Sequence, residues 1–289
     1  MNMNGFYDKI DGFFAVKDFA GAENCMKEAL AQAEFEDDPS ATVTVCNELG
    51  GFYRAFSRYS EGIPLYEKAL GCIRRLSMEH TEGHGTTLLN FATTLAIVGQ
   101  HDRALDAYQQ AAGIFEGPAY QKDFRLATLY NNMSSLYQNM GRLDEAEKYL
   151  RKAMSILETL RESEIEIAIT WSNLAGVYLS MGTDHLADAK DAAQKAIALF
   201  NQVSGDKDVH YAPAVSALGE VYYLEGDFKA AEAQFLKSME LTKRDYGDQT
   251  LGYAILCKNL AATLKAQDRD DEAADYLSKA AAIESRLGV

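Results

Sequence analysis

Thr128-Leu129-Tyr130-Asn131-Asn132-Met133-Ser134-Ser135-Leu136-Tyr137-Gln138-Asn139-Met140-Gly141-Arg142-Leu143-Asp144-Glu145-Ala146-Glu147-Lys148-Tyr149-Leu150-Arg151-Lys152-Ala153 is the stretch that decides the fold. Apolar residues recur three and four apart on both sides of Gly141, the pattern of two amphipathic helices meeting at a turn. Gly141 can take the left-handed conformation that closes a helix at low cost. Ser134 and Ala146 are small, so the paired helices can approach closely. One such pair cannot bury both of its apolar faces, and further pairs must stack on it.

The pattern recurs. Asn90-Phe91-Ala92 with Leu95, Gly99, Ala104 and Ala111 matches it 42 residues upstream, and Glu48-Leu49-Gly50 with Tyr53, Ser57, Gly62 and Ala69 a further 42 upstream. Downstream come Asn173-Leu174-Ala175 with Tyr178 and Gly182, then Ala217-Leu218-Gly219 with Tyr222 and Gly226, then Asn259-Leu260-Ala261 with Leu264 and Asp268. The fifth unit fits if Thr183-Asp184-His185 carries two extra residues, and a weaker first unit starts near Asp8. The expected fold is therefore all-α, a right-handed superhelical solenoid of about seven helix-turn-helix repeats forming a single domain over 1–289. The repeats fall at 3–37, 40–79, 82–118, 121–161, 163–204, 208–246 and 248–287. Asp, Asn or Ser residues are expected to cap the second helices. Asp37-Asp38-Pro39, Glu82-Gly83-His84-Gly85, Glu116-Gly117-Pro118 and Ser204-Gly205-Asp206 read as the loops between repeats.

The run 128–153 resembles the tetratricopeptide repeat, and Trp171 stands where that family often has an aromatic early in its first helix. The spacing of 42 residues exceeds the family's usual value of about 34 and resembles the long-helix subtype of kinesin light chains. The resemblance implies a binding scaffold without catalytic activity, whose first helices line a concave groove.

Composition agrees with an all-α chain. Of 289 residues 47% are hydrophobic and only four are Pro. The net charge of −15, from 28 basic and 43 acidic residues, disfavours nucleic acid and anionic membranes and favours a neutral or basic partner. Cys25, Cys46, Cys72 and Cys257 show no close pairing and read as buried free thiols. Met1 to Asp11 lacks the pattern of a signal peptide, and no apolar run reaches spanning length, so a cytoplasmic location is expected. His80, His84, His101, His185 and His210 belong to turns of different repeats, and no nucleotide-binding, metalloprotease or nucleophile-elbow motif occurs; no metal or other cofactor is expected.

Function is expected along the first helices. Asn90, Asn132, Asn173 and Asn259 share one register. In the families resembled, an Asn here forms a ladder whose amides bind the backbone of an extended peptide, for which an amide supplies both donor and acceptor. Helical spacing adds Thr93, Asn131, Ser135, Asn139, Ser172 and Lys258 as groove candidates, and reads Tyr53, Tyr137, Tyr178 and Tyr222 as core. Asp8, Glu48 and Ala217 interrupt the ladder. The same Asn side chains are equally suited to joining neighbouring repeats. A second expectation is pairing of two copies through the helix from Asp270 to Leu287, which carries Leu277 and several alanines.

Overall fold

The computed structural model describes residues 3–120 and 123–287. The expected start of the fourth repeat at 121, and Met1 and Asn2 of the segment expected to lack a signal peptide, lie outside these. Among the described residues there are fourteen α-helices and no strand. The chain divides into two compact units, Met1–Gln121 and Lys122–Val289.

The first unit holds α1 (Met3–Ala15), α2 (Phe19–Phe35), α3 (Pro39–Ala55), α4 (Tyr59–Arg75), α5 (Glu82–Ile97) and α6 (His101–Phe115). The second holds α7 (Phe124–Asn139), α8 (Leu143–Leu157), α9 (Glu164–Met181), α10 (Leu186–Val203), α11 (Tyr211–Glu225), α12 (Phe228–Tyr246), α13 (Leu251–Lys265) and α14 (Asp270–Leu287). Consecutive helices pack on each other within each unit. First helices also touch first helices, α3 with α5 and α7 with α9, α9 with α11, α11 with α13. The first helices thus form a continuous wall in each unit, and the second helices stand behind it.

Turn chemistry sets the helix ends. Gly99, Gly141, Gly182 and Gly226 all have positive φ, as do Lys17, Ser57 and Asp268 in the same register. The two extra residues near Thr183 form a short 3₁₀ turn, Thr183–His185, which lays His185 flat on Tyr178. The expected polar caps occur on only some of the second helices: Asp18 and Asp227 accept backbone N–H bonds from Gly21 and Ala230. On α4 and α8 an arginine takes the cap position and pairs with a glutamate three residues on. Arg58 meets Glu61 at 2.6 Å and Arg142 meets Glu145 at 2.6 Å. Each guanidinium also covers a core tyrosine, Arg58 over Tyr53 at 4.3 Å and Arg142 over Tyr137 at 4.6 Å. Gly83-His84-Gly85 is helix rather than loop, because the Thr81 hydroxyl caps the His84 N–H and starts α5 early.

In four of the repeats a large second-helix side chain is buried at the junction. Tyr66, Tyr108, Leu150 and Phe235 occupy the same register and are no more than 1% exposed. Small residues on the first helix make room for them. A Cβ on Gly50 would stand 2.6 Å from the Tyr66 ring, and one on Gly219 would stand 3.0 Å from Phe235. Ion pairs tie neighbouring repeats along the edge, Arg58 to Glu23 at 2.6 Å and Arg269 to Glu232 at 2.8 Å. Cys46 and Cys257 are buried and Cys25 and Cys72 half-buried, all as free thiols.

Two outcomes follow from this packing. Gly50→Ala overpacks Tyr66 and lowers stability by about 1–3 kcal/mol, whereas Gly113→Ala in α6, where a Cβ meets nothing within 4 Å, holds or raises it by about 0.5–1 kcal/mol. Urea unfolding of both variants checks this, and an equal effect would refute the role of Gly50. The hydrogen bonds from Arg58, then Lys27, hold the Glu23 carboxyl down at about 2, below its ordinary 4.5. Its contribution is therefore full above pH 4.5 and is lost as pH falls toward 2. Glu23→Gln should be less stable than the parent at pH 6, with the gap closing in acid.

Candidate functional site

The first-helix wall is stitched by polar side chains at the positions that sequence periodicity assigns to a groove. In the second unit Asn131 is 8% exposed. Its amide nitrogen donates to Ala127 O at 3.2 Å and to Thr170 Oγ1 at 3.0 Å, and its oxygen accepts from Asn173 Nδ2 at 3.0 Å. Gln138 donates to Gly176 O at 3.0 Å and Ser180 Oγ at 2.8 Å. In the first unit Asn47 makes the counterpart bond to Thr87 Oγ1 at 2.9 Å. Asn90 accepts from Arg54 Nη1 at 3.3 Å, and Glu48, at the ladder position, accepts from the Tyr7 hydroxyl at 3.3 Å. All of these bonds except that from Asn131 to Ala127 O, which lies within α7, join a first helix to the next.

The ten candidate residues therefore separate by environment. Asn131 and Ser172 are buried between helices. Asn90, Asn132, Asn173 and Asn259 are half-buried, and Ser135 and Asn139 are exposed on α7. Thr93 turns toward its own repeat partner: its Oγ1 accepts from the fully buried Tyr108 at 3.1 Å. Lys258 is exposed and paired with Glu284 of α14 at 2.5 Å. Tyr53, Tyr137 and Tyr178 are at most 8% exposed and Tyr222 is half-buried, as expected of packing residues.

Two carboxylates give the wall its electrostatic character. Glu220 on α11 reaches solvent, yet its neighbours crowd it enough to push its carboxyl above the usual range. Burial likewise raises Glu48, with the Tyr7 bond pulling it back and Asp11 adding to the rise. Apolar side chains that sequence reading assigned to no role also open onto the wall: Leu224 at 43% and Ile255 at 48% exposure. Their registers, those of Asn139 and Thr128, were the available signal. Among the described residues no three His, Cys, Asp or Glu side chains come together as a metal site, and no described helix is long and apolar enough to cross a membrane. His80 and His84 meet through a bond from the His80 backbone N–H to His84 Nδ1 at 3.2 Å and an edge-to-face ring contact at 6.5 Å.

Stacked helix pairs with small residues at the contacts and a polar seam along the first helices define a helical-repeat protein. The tetratricopeptide repeat family model matches residues 40–117, 125–202, 166–243 and 210–284, and the chain belongs to that family. It is 23% identical over 250 residues to Protein KINESIN LIGHT CHAIN-RELATED 2 of Arabidopsis thaliana, covering 86% of this chain and 37% of that protein. This chain thus spans little more than a third of that relative's length. Among solved structures, the Rap protein complexed with Competence and Sporulation Factor matches with a TM-score of 0.75 at 18% identity, over 98% of this chain and 75% of that one. NprR in complex with its cognate peptide NprX matches with a TM-score of 0.72 at 15% identity, over 98% and 79%.

Asn131→Ala should remove the partner of both Thr170 and Asn173 inside the wall and cost about 1–3 kcal/mol, while Ser135→Ala, exposed on the same helix, should change stability by less than about 0.5 kcal/mol. Denaturant midpoints compare the two. A neutral Asn131→Ala would mean that the seam contributes nothing to stacking.

Proposed function

We propose that the first-helix wall holds an extended segment of a partner protein, and that the chain acts as a binding scaffold without catalysis. The observation that carries the reading is the alignment of α7, α9, α11 and α13 side by side, with the exposed amide and hydroxyl of Asn139 and Ser135 at one end and exposed Leu224 and Ile255 farther along. Amides and hydroxyls serve a peptide backbone whatever its side chains, and the apolar residues add affinity by desolvation. The fold shared with NprR, whose structure holds its cognate peptide, supports the same reading. Asn132, Asn173, Ser135 and Asn139 are the proposed contacts in the second unit, with Lys258 and Asn259 on α13; Asn90 is the corresponding residue in the first. The crowded carboxyl of Glu220 favours a neutral or basic segment.

Pairing of two copies through α14 is a second reading, favoured by Leu277, which is 37% exposed.

Because Asn131 and Asn173 stitch helices, replacing them confounds binding with stability. A photo-crosslinking residue placed at Asn139 and, separately, at Lys148 on the outer helix α8 avoids this. In a lysate, partner crosslinks should form from position 139 and not from 148; the reverse result would sink the proposal.

A further inference from the structure

The outer faces of the first and seventh repeats depart from the internal repeats in complementary ways, and we propose that this chain associates head to tail. The seventh repeat of one copy stacks on the first repeat of a second copy as one repeat stacks on the next. The occupant of the first repeat's open face is thus a second copy of this chain.

Internal junctions supply the register. The residue one before the ladder position bonds to the ladder residue of the following repeat, as Tyr7 does to Glu48 and Asn131 to Asn173. The residue six after the ladder position reaches the ladder residue of the next repeat or the residue three beyond it, as Arg54 reaches Asn90 and Gln138 reaches Gly176. In the seventh repeat these two positions are Lys258 and Lys265, and the positions they would meet in a first repeat are Asp8 and Asp11. All four are exposed. Two lysines on one face and two aspartates on the other therefore fall opposite each other in the register that the fold already uses. Their spacing in that register is what sets this contact apart from a general attraction between charges.

The apolar seam matches as well. Leu277 holds the register of Tyr66, Tyr108, Leu150 and Phe235, the large side chains buried there in four internal repeats, yet it is 37% exposed. In the first repeat the receiving positions filled by Val45 and Phe52 in the second repeat carry Gly5 and Gly12. Beside them lie clefts of about 690 and 440 Å³, and a Cβ on Gly12 would meet nothing within 4 Å. The first face offers a hollow where the seventh offers a knob. At the seam's polar substitutions the signs are again opposite: Lys9 stands where the later repeats have Leu, Phe or Met, and Glu284 stands where Ile73 and Leu157 lie in theirs. Glu284 now pairs with Lys258, so stacking would bring a second copy's lysine and aspartate to an ion pair already in place.

Such a contact is heterologous, using two different surfaces, and can continue beyond two copies. Sedimentation velocity of the 289-residue chain tests it, with Asp8→Lys/Asp11→Lys blocking the first face and Leu277→Glu blocking the seventh. All these positions are exposed, and circular dichroism melts should be unchanged. The parent chain should show a mass that rises with concentration and falls with added salt. Each variant alone should associate more than about tenfold more weakly, while an equimolar mixture forms a one-to-one pair that grows no further, because one intact face of each kind remains. A parent chain that stays monomeric at millimolar concentration overturns the proposal. So does a Leu277→Glu variant that is monomeric beside an Asp8→Lys/Asp11→Lys variant that associates as the parent does, which is the behaviour of symmetric pairing through α14.

Discussion

The stack depends on a contact that recurs in repeats two, three, four and six, a large second-helix side chain buried against its own first helix and the neighbouring repeat. Burying an aromatic or leucine side chain of this kind contributes about 1.5–3 kcal/mol, and removing it would leave the following repeat with no surface to pack on. The contact constrains its neighbours by volume. Tyr66 is accommodated because residue 50 is glycine, Phe115 because residue 85 is glycine, and Phe235 because residue 219 is glycine. Large and small residues are thus allotted jointly across a helix pair, and neither choice has meaning without the other.

With spacing fixed by that contact, first helices come close enough for side-chain amides to bridge them. The bridges are Asn47 to Thr87 in the first unit and Asn131 to Thr170 in the second. Leaving a buried amide unbonded costs about 1–3 kcal/mol, and Asn131 is bonded at both its nitrogen and its oxygen. The chemistry that suits peptide recognition therefore serves stacking first. The proposed recognition rests on exposed side chains one step farther from the seam, Ser135 and Asn139, and on apolar Leu224 and Ile255. The wall is consequently less polar than a ladder of free asparagines would be.

Much of the fold was legible because its determinants are local. Helix ends follow residues able to hold positive φ, and even Lys17, Ser57 and Asp268 keep the register set by the glycines. The reading failed where two local signals competed. Gly83-His84-Gly85 suggests a loop by composition, but Thr81 caps the backbone ahead of it and buried Gly85 makes room for Phe115. The arginines at the second-helix caps were missed because their partners, the glutamates and the tyrosine faces, come from helical geometry rather than from adjacency. Asn131 and Asn132 pose the harder problem. Adjacent helix residues point about 100° apart, and which of the two turns into the seam is decided by where α9 lies. That is tertiary information no single repeat contains.

The acidic excess takes on a more particular meaning once the pairs are placed. Many carboxylates are the acceptors of ion pairs between second helices, Glu23 for Arg58, Glu67 for Arg103 and Glu232 for Arg269. Pairs this exposed are worth only about 0–1 kcal/mol each, so their value lies in fixing register along a row of similar repeats rather than in holding the row together. The carboxylates that stand apart from the rows are on the first-helix wall. Glu48 and Glu220 resist ionisation because of crowding, and a carboxylate so placed is relieved by an incoming donor or cation. On the proposed function these two carboxylates, one in each unit, are what would favour a neutral or positively charged guest, while the amides of Asn47 and Asn131 keep the helices side by side.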